Sequence, residues 1–468
     1  MNTQDSKEGF RDILANVTED GDRKWIYPKK PSGKFYNART AVSIILLLFL
    51  FGAPFLKVNG HPFLLFNILE RKFVLFGILF GPHDFYIFVL LMISVFVSIF
   101  LFTVVYGRLF CGWVCPQTIF LEMVFRKIEY FIEGDASKQK RLDTGPMTKE
   151  KIFKKSVKHI IFMGLSFIIS NTFLAYIIGV DSLFQIITDP PSQHLGGLAA
   201  ISIFSGIFYF VFSSFREQAC VLVCPYGRLQ SVMLDANSIV IAYDNKRGEP
   251  RGKIKKDVEQ SNGDCIDCHL CVDVCPTGID IRNGTQLECV NCTACIDECN
   301  TVMSKVKRPK GLIRYASKIE IETGKRFIFT PRAIGYTIVL IILFSITSFM
   351  MINRNNYEIS LLRTPGLLSQ PQLDNKISNL YDLKVVNKTF EPLQLRVELV
   401  KPFGEIKVLG SDLLIEPQAT EKAKLLVVLS LDIIKSLKTE LEINVYSNNE
   451  LTETIKTSFL GKIENRTK

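Results

Sequence analysis

Eight cysteines in residues 265–299 carry the clearest chemistry in this chain. They read Cys265-x2-Cys268-x2-Cys271-x3-Cys275-Pro276, then Cys289-x2-Cys292-x2-Cys295-x3-Cys299. Three thiolates on a short loop reach three corners of one iron–sulfur cubane, and the fourth, one helical turn on, reaches across to the other cubane. The spacing therefore predicts two [4Fe–4S] clusters. Cys265, Cys268, Cys271 and Cys299 are the expected ligands of the first, and Cys289, Cys292, Cys295 and Cys275 of the second. Zinc ribbons also use Cys-x2-Cys, but zinc requires neither a doubled 3-3-4 rhythm nor the proline after Cys275. Asn300 stands where a second proline would complete the symmetry, which alters a turn and not a ligand.

A second constellation is a matched pair, Arg108-Leu109-Phe110-Cys111-Gly112-Trp113-Val114-Cys115-Pro116 and Arg216-Glu217-Gln218-Ala219-Cys220-Val221-Leu222-Val223-Cys224-Pro225. Cysteines four apart share a helical face. The proline disfavours helix at its predecessor and suits the first turn of a new helix. Cys115 and Cys224 are thus expected near helix N-termini, where a thiol pKa falls, and Gln117–Ile132 is expected to run on as an interfacial helix. Isolated cysteines in apolar surroundings are usually quiet packing residues, but two pairs with one spacing and one proline argue for a shared task. Such thiols suit a soft ion, Cu(I) above all. A further iron–sulfur cluster or a dithiol/disulfide cycle fits them as well.

The elements that position these residues follow from the apolar runs. The chain has 468 residues, 48% of them hydrophobic, yet 22% are charged, so the two classes must be segregated. Five runs are long enough to cross a bilayer: about 38–56, 85–106, 160–180, 197–215 and 332–352. Residues 62–80 are also apolar, but Glu70, Arg71 and Lys72 divide them, which predicts an interfacial or re-entrant segment. No cleavable leader is expected from the polar N-terminus.

Arg126, Lys127, Lys138, Lys140 and Arg141 lie between the second and third spans, whereas residues 181–196 hold no Lys or Arg. The positive-inside rule then places the N-terminus and both cysteine-bearing regions in the cytoplasm and the C-terminus in the periplasm, across an inner membrane. The cysteine map agrees, since residues 300–468 contain none. The net charge of +10 reads as these basic loops and not as a nucleic-acid surface. There is no Walker A loop, dinucleotide fingerprint or c-type haem motif, and the five histidines are not placed to pair across a bundle.

From about residue 357 apolar residues alternate, as at Leu393, Leu395 and Val397 and again at Leu441, Ile443 and Val445. Breaks about every ten residues complete the pattern of an antiparallel β-sandwich. The expected fold class is therefore multi-domain: an α-helical membrane domain with five spans, a bacterial 2[4Fe–4S] ferredoxin-like α+β module, and a C-terminal all-β sandwich. The expected boundaries are 1–38 for a cytoplasmic segment and 39–230 for a membrane domain with four spans. They continue with 231–331 for a cytoplasmic region whose ferredoxin-like module occupies about 258–305, 332–352 for the fifth span, and 357–468 for the sandwich.

With these residues in view, the chain resembles the CcoG/FixG family of accessory proteins for the cbb3-type cytochrome c oxidase. The likeness rests on Gly107 to Thr118, Ile132-Glu133-Gly134-Asp135, Cys224-Pro225-Tyr226-Gly227-Arg228 and Arg247-Gly248-Glu249-Pro250-Arg251-Gly252. It continues through Gly263 to Cys268, Gly311 to Tyr315, and Asn379-Leu380-Tyr381. The resemblance implies an immunoglobulin-like C-terminal domain and a cupric reductase that makes Cu(I) available to the oxidase. On that view the clusters supply single electrons from a donor not identified by sequence, and Cys111, Cys115, Cys220 and Cys224 are the copper-handling thiols. Thiolates favour Cu(I) over Cu(II), which raises the couple's potential and makes its reduction easier. The Cys-x3-Cys-Pro elements are shared with quinol-linked membrane ferredoxins, so a quinol-linked relay and a non-catalytic assembly scaffold are the competing expectations.

Overall fold

The computed structural model describes residue 17 and residues 22–461, apart from 69–70, 82–83, 254–262, 287, 326–329, 368, 373–374, 411–412, 435 and 448–449. Most of the N-terminal segment and His83 thus lie outside the described residues. The chain forms two compact units. One holds the residues up to Leu56 with Val89–Thr347, the other Lys57–Phe88 with Ser348–Lys468.

Five helices are long and apolar enough to cross a membrane: Lys34–Phe55, Phe85–Tyr106, Lys149–Ile178, Leu195–Phe215 and Pro331–Ile352. A helix satisfies its own backbone groups, the condition for crossing hydrocarbon. Ile45, Leu48, Ile203, Ile341 and Phe349 point outward from these helices, as on a surface made for lipid. All five expected spans are present. The third begins well before residue 160, with Thr148 capping its N-terminus by accepting a bond from the Lys151 amide. Its early turns are polar because Lys155 and Lys158 reach Glu133, so they extend the helix beyond the apolar run.

Two expectations concern the flanking segments. Residues 62–80, expected as an interfacial or re-entrant segment, are extended and not helical among the described residues. They are a three-stranded antiparallel meander, Leu64–Asn67, Lys72–Leu75 and Ile78–Phe80. Its turns fall at Arg71 and Gly77, both with positive φ, so Arg71, one of the charges that divide the apolar run, marks a turn, while Glu70 lies outside the described residues. The segment after Cys115 is helical to Ile132, with a π-helical stretch over Ile119–Phe125, and it packs against the spans. Phe120, Leu121 and Phe125 are buried with Phe162, Ile169 and Phe212, and the Phe125 ring stacks on Phe212 at 4.6 Å. Arg126 and Glu129 on this segment are buried too, because each meets opposite charges, while Lys127 donates to the Thr40 hydroxyl. Arg126 lies beside Glu122 and Glu217, and Glu129 is held by Arg216 and Lys158.

Beside this bundle, the antiparallel ribbon Val240–Tyr243 with Ile313–Ala316 frames the ferredoxin-like region. Between its strands lie the short helix Leu270–Asp273 and the longer helix Ala294–Lys305.

In the second unit, β1 (Tyr357–Arg363), β2 (Gln370–Gln372), β3 (Lys376–Asn387), β4 (Leu393–Lys401), β5 (Glu405–Leu409), β6 (Leu414–Ile415), β7 (Thr420–Ser430), β8 (Lys438–Ser447) and β9 (Glu450–Leu460) form two sheets. One runs β5-β7-β3-β1, with β2 also on β3, and the other β6-β4-β8-β9. The alternating residues seen in the sequence face inward in register: Val397 opposes Val445 and Leu399 opposes Ile443. They meet Tyr381, Leu383, Leu425 and Val427 of the facing sheet in one core.

Candidate metal centre

The two cysteine loops of the ferredoxin-like region share one backbone shape. Asp267 and His269 have positive φ in the first, and Asn291 and Thr293 have it at the matching positions of the second. Alternating left-handed residues turn successive amides toward one side and form an anion-binding concavity. Helices then start at Leu270 and Ala294.

One cavity is lined by Cys265, Cys268, Cys271 and Cys299, with Leu270, Met303 and Ile313 among its apolar walls. A second is lined by Cys275, Cys289, Cys292 and Cys295, with Ile241 and Ile279, and Cys271 reaches its edge. Each cavity therefore gathers three sulfurs from one loop and a fourth from the other. Among the described residues no three His, Cys, Asp or Glu side chains converge tightly enough for a single ion. A structural zinc site would draw four sulfurs to within about 2.3 Å of one centre, whereas a cubane is wider and takes one sulfur at each corner. The donor set and its spacing fit [4Fe–4S] clusters.

Burial pushes the Cys271, Cys289 and Cys299 thiols up to about 12 and Cys292 up to about 11. A bare thiolate is costly in these apolar walls, so metal binding is what deprotonates them.

The two Cys-x3-Cys-Pro elements are also built alike. The Cys115 amide bonds the Phe110 carbonyl and the Cys224 amide bonds the Ala219 carbonyl, each at 2.9 Å and five residues back. Such wide π-type turns recur at functional sites. Cys115 and Cys224 are extended and stand as N-caps of the helices opened by Pro116 and Pro225, which is where the prolines predict them.

The elements pack on each other. Arg108 of the first donates to the Gly227 carbonyl of the second at 2.7 Å, and Gln230 lies 3.5 Å from the Cys111 sulfur. Within the second element Gly227 lets the turn close, since a methyl there would meet the Cys220 carbonyl at 2.7 Å. All four thiols fall within electrostatic reach of one another. Burial pushes Cys111 up to about 12, with Cys115 and Cys224 adding to the rise and Arg108 opposing it. Cys220 is also pushed up to about 12 by burial, and Cys115, Cys111 and Cys224 all raise it further. The sequence offers two pairs; the fold makes one group of four.

This group adjoins the second cavity. A methyl on Gly112 would lie 2.5 Å from the Asn291 carbonyl oxygen and 2.6 Å from that of Val290, and both residues sit between Cys289 and Cys292. Arg39, buried at the start of the first span, donates to the Gly112 carbonyl at 2.6 Å. Trp113 donates its indole N–H to the Tyr315 hydroxyl at 3.2 Å, which in turn reaches the Asn291 carbonyl at 3.4 Å. Motif spacing gave no sign of Arg39, Gln230 or Tyr315. Arg39 carried a general signal, as a charge at the edge of an apolar run, and Tyr315 ended one of the runs that carry the family resemblance.

Comparison with known proteins agrees with this construction. Residues 215–318 match the 4Fe-4S dicluster domain, and residues 88–134, which hold Cys111 and Cys115, match a 4Fe-4S binding domain. Residues 347–462 match the IG-like fold at the C-terminus of FixG, a candidate oxidoreductase. The nitrogen fixation protein FixG of Rhizobium meliloti is 34% identical over 63% of this chain and 57% of its own length. Protein RdxA of Cereibacter sphaeroides is 35% identical over 62% of each. The aligned part of the chain thus spans about three-fifths of FixG and of RdxA. Protein RdxB of the same organism is 32% identical over 81% of this chain and 82% of its own length. With iron–sulfur domains, five membrane helices and the FixG-type β-domain in one chain, this protein belongs to the FixG/RdxB family of membrane iron–sulfur proteins.

Proposed function

We propose that the protein reduces Cu(II) to Cu(I) at the group formed by Cys111, Cys115, Cys220 and Cys224, and that the Cu(I) serves assembly of the copper centre of a cbb3-type cytochrome c oxidase. In this reading Cys265, Cys268, Cys271 and Cys299 hold one cluster, and Cys275, Cys289, Cys292 and Cys295 hold the other. Bound clusters would supply one electron at a time. The N-terminus and the iron–sulfur region lie in the cytoplasm and the β-domain in the periplasm.

The observation that carries the reading is the contact of Gly112 with Val290 and Asn291. It brings the backbone beside Cys111 against the loop that carries Cys289 and Cys292. Two of these thiols at a time, Cys111 among them, bind the copper substrate as thiolates, a donor set that favours the reduced ion. Arg108, beside Cys111, offsets the charge the thiolates acquire. Gln230 hydrogen-bonds the Cys111 sulfur and fixes its direction.

The test is anaerobic purification, iron, sulfide and EPR analysis, and titration of the dithionite-reduced protein with Cu(II). The expected outcome is stoichiometric, copper-dependent oxidation of the clusters, lost when Cys111 and Cys115 become Ser. Protein that contains zinc and no iron, or clusters indifferent to Cu(II), overturns it.

A further inference from the structure

Of the twelve cysteines, all of which the structure describes, Cys268 alone is exposed. It lines the first cavity, whereas the second is walled on one side by Gly112 and its neighbours. If electrons leave at the four-thiol group, the solvent-facing first cavity is where they arrive. That step rests on the cluster reading above.

The surface around the first cavity is basic. Lys253, Lys305, Lys307 and Lys310 are exposed, and no ion pair to any of them occurs among the described residues. Their backbone is fastened to the loop of Cys265 and Cys268. Arg308 donates to the Gly263 carbonyl at 2.7 Å, Arg247 donates to the Lys310 carbonyl at 3.1 Å, and the Gly252 amide bonds the Cys265 carbonyl at 3.1 Å. Among the described residues, acids of the neighbouring loops are already engaged: Asp264 by Arg247, Asp267 by Arg282, and Glu249 by Arg251. The lysine charges are therefore left over. Redox partners meet through small, short-lived interfaces, and complementary charge governs how fast such pairs find each other.

We infer that the face carrying Lys253, Lys305, Lys307 and Lys310 around Cys268 is the docking surface for a small acidic one-electron carrier protein. The carrier's reduced centre loses one electron and the cluster in the first cavity gains it; no bond is made or broken and no proton moves.

The test uses the full-length protein in detergent, with both clusters first verified by iron analysis and EPR. Cluster reduction by a reduced bacterial ferredoxin of net negative charge is followed by stopped flow. Replacing Lys305, Lys307 and Lys310 together by Glu should lower the second-order rate constant by about tenfold or more. The wild-type rate should fall as salt is added, while reduction by the cationic methyl viologen radical should not slow. If the triple variant loses iron, Lys253→Glu and Lys310→Glu singly should each give about a threefold loss. A change of less than about twofold in iron-replete variants overturns the docking surface. So does a rate indifferent to salt, or clusters that accept electrons from a menaquinol analogue and not from the ferredoxin. Protein without iron fails the cluster reading instead, so the two failures are distinguishable.

Discussion

Gly112 lies against Asn291 so closely that a single methyl on its Cα would come within 2.5 Å of the Asn291 carbonyl oxygen. One residue comes from a Cys-x3-Cys-Pro element at the end of the second span, the other from between two cysteines of the ferredoxin-like region. Neither backbone can retreat freely: Arg39 holds the Gly112 carbonyl, and Asn291 sits in a left-handed conformation within its loop.

Gly112→Ala should therefore separate the two sites. Overpacking of this kind costs about 1–3 kcal/mol, and the strain should fall on the second cluster. The expected outcome is a perturbed EPR signal from one cluster, an unchanged signal from the other, and slower oxidation by Cu(II). Two unaltered signals with wild-type copper kinetics would show that this contact does not carry the coupling.

The crossed cysteines make a sharper test of ligand assignment. Cys265→Ser should remove the first cluster and Cys275→Ser the second, although Cys275 follows the first loop in sequence. Each variant should retain about half the iron of the wild type. If Cys275→Ser instead disturbs the cluster bound by Cys265, the crossing is wrong.

Copper binding should depend on pH through the thiols. Burial pushes Cys111 and Cys220 up to about 12, so at neutral pH both are protonated and must lose a proton to bind the ion. Raising the pH lowers the proton concentration against which copper competes, so affinity should strengthen by about tenfold per pH unit for each proton released. Calorimetry in buffers of different ionisation enthalpy counts those protons. Affinity that is flat from pH 6 to 8 would mean that these thiols do not take the ion.

Arg216 joins the second element to the helix that follows the first, gripping both carboxylate oxygens of Glu129 at 2.9 Å. Burial by itself would raise the Glu129 pKa, but Arg216, Lys158 and Arg126 together hold it below the ordinary glutamate value. Its contribution is then complete above the unfolded-state pKa, about 4.3, and is lost as the pH falls below it. Glu129→Gln leaves buried cations uncompensated and should cost about 3–5 kcal/mol. Thermal unfolding in detergent at pH 7 checks this, with the gap between variant and wild type narrowing in acid. Equal melting at pH 7 would mean that the surrounding charges rearrange.

In the β-domain, Tyr381 of β3 is fully buried and donates its hydroxyl to the Ser458 carbonyl of β9 at 3.0 Å, linking the two sheets. Tyr381→Phe should cost about 1 kcal/mol or somewhat more, since the carbonyl loses its partner. The loss should appear in the unfolding of the β-domain and leave iron content untouched.

Much of this protein is local in origin and was readable in the chain. Apolar runs of bilayer length specify five helices because each helix satisfies its own backbone. Alternation at Leu393 to Val397 and Leu441 to Val445 specifies strands because successive side chains point to opposite faces. Cysteine spacing specifies the kind of metal centre, since three sulfurs on one short loop leave little choice of what they can hold together.

Long-range packing decided the rest. Residues 116–132 became a buried helix because partners distant in sequence covered them, Arg216 and Lys158 among these. Cys111 and Cys220 are over a hundred residues apart, and no local pattern states that their elements meet. The Arg108 bond to the Gly227 carbonyl joins the two elements, and it takes the absent side chain of Gly112 to set them against the second cluster cavity. A glycine marks permission for close approach, but only the folded chain says what approaches.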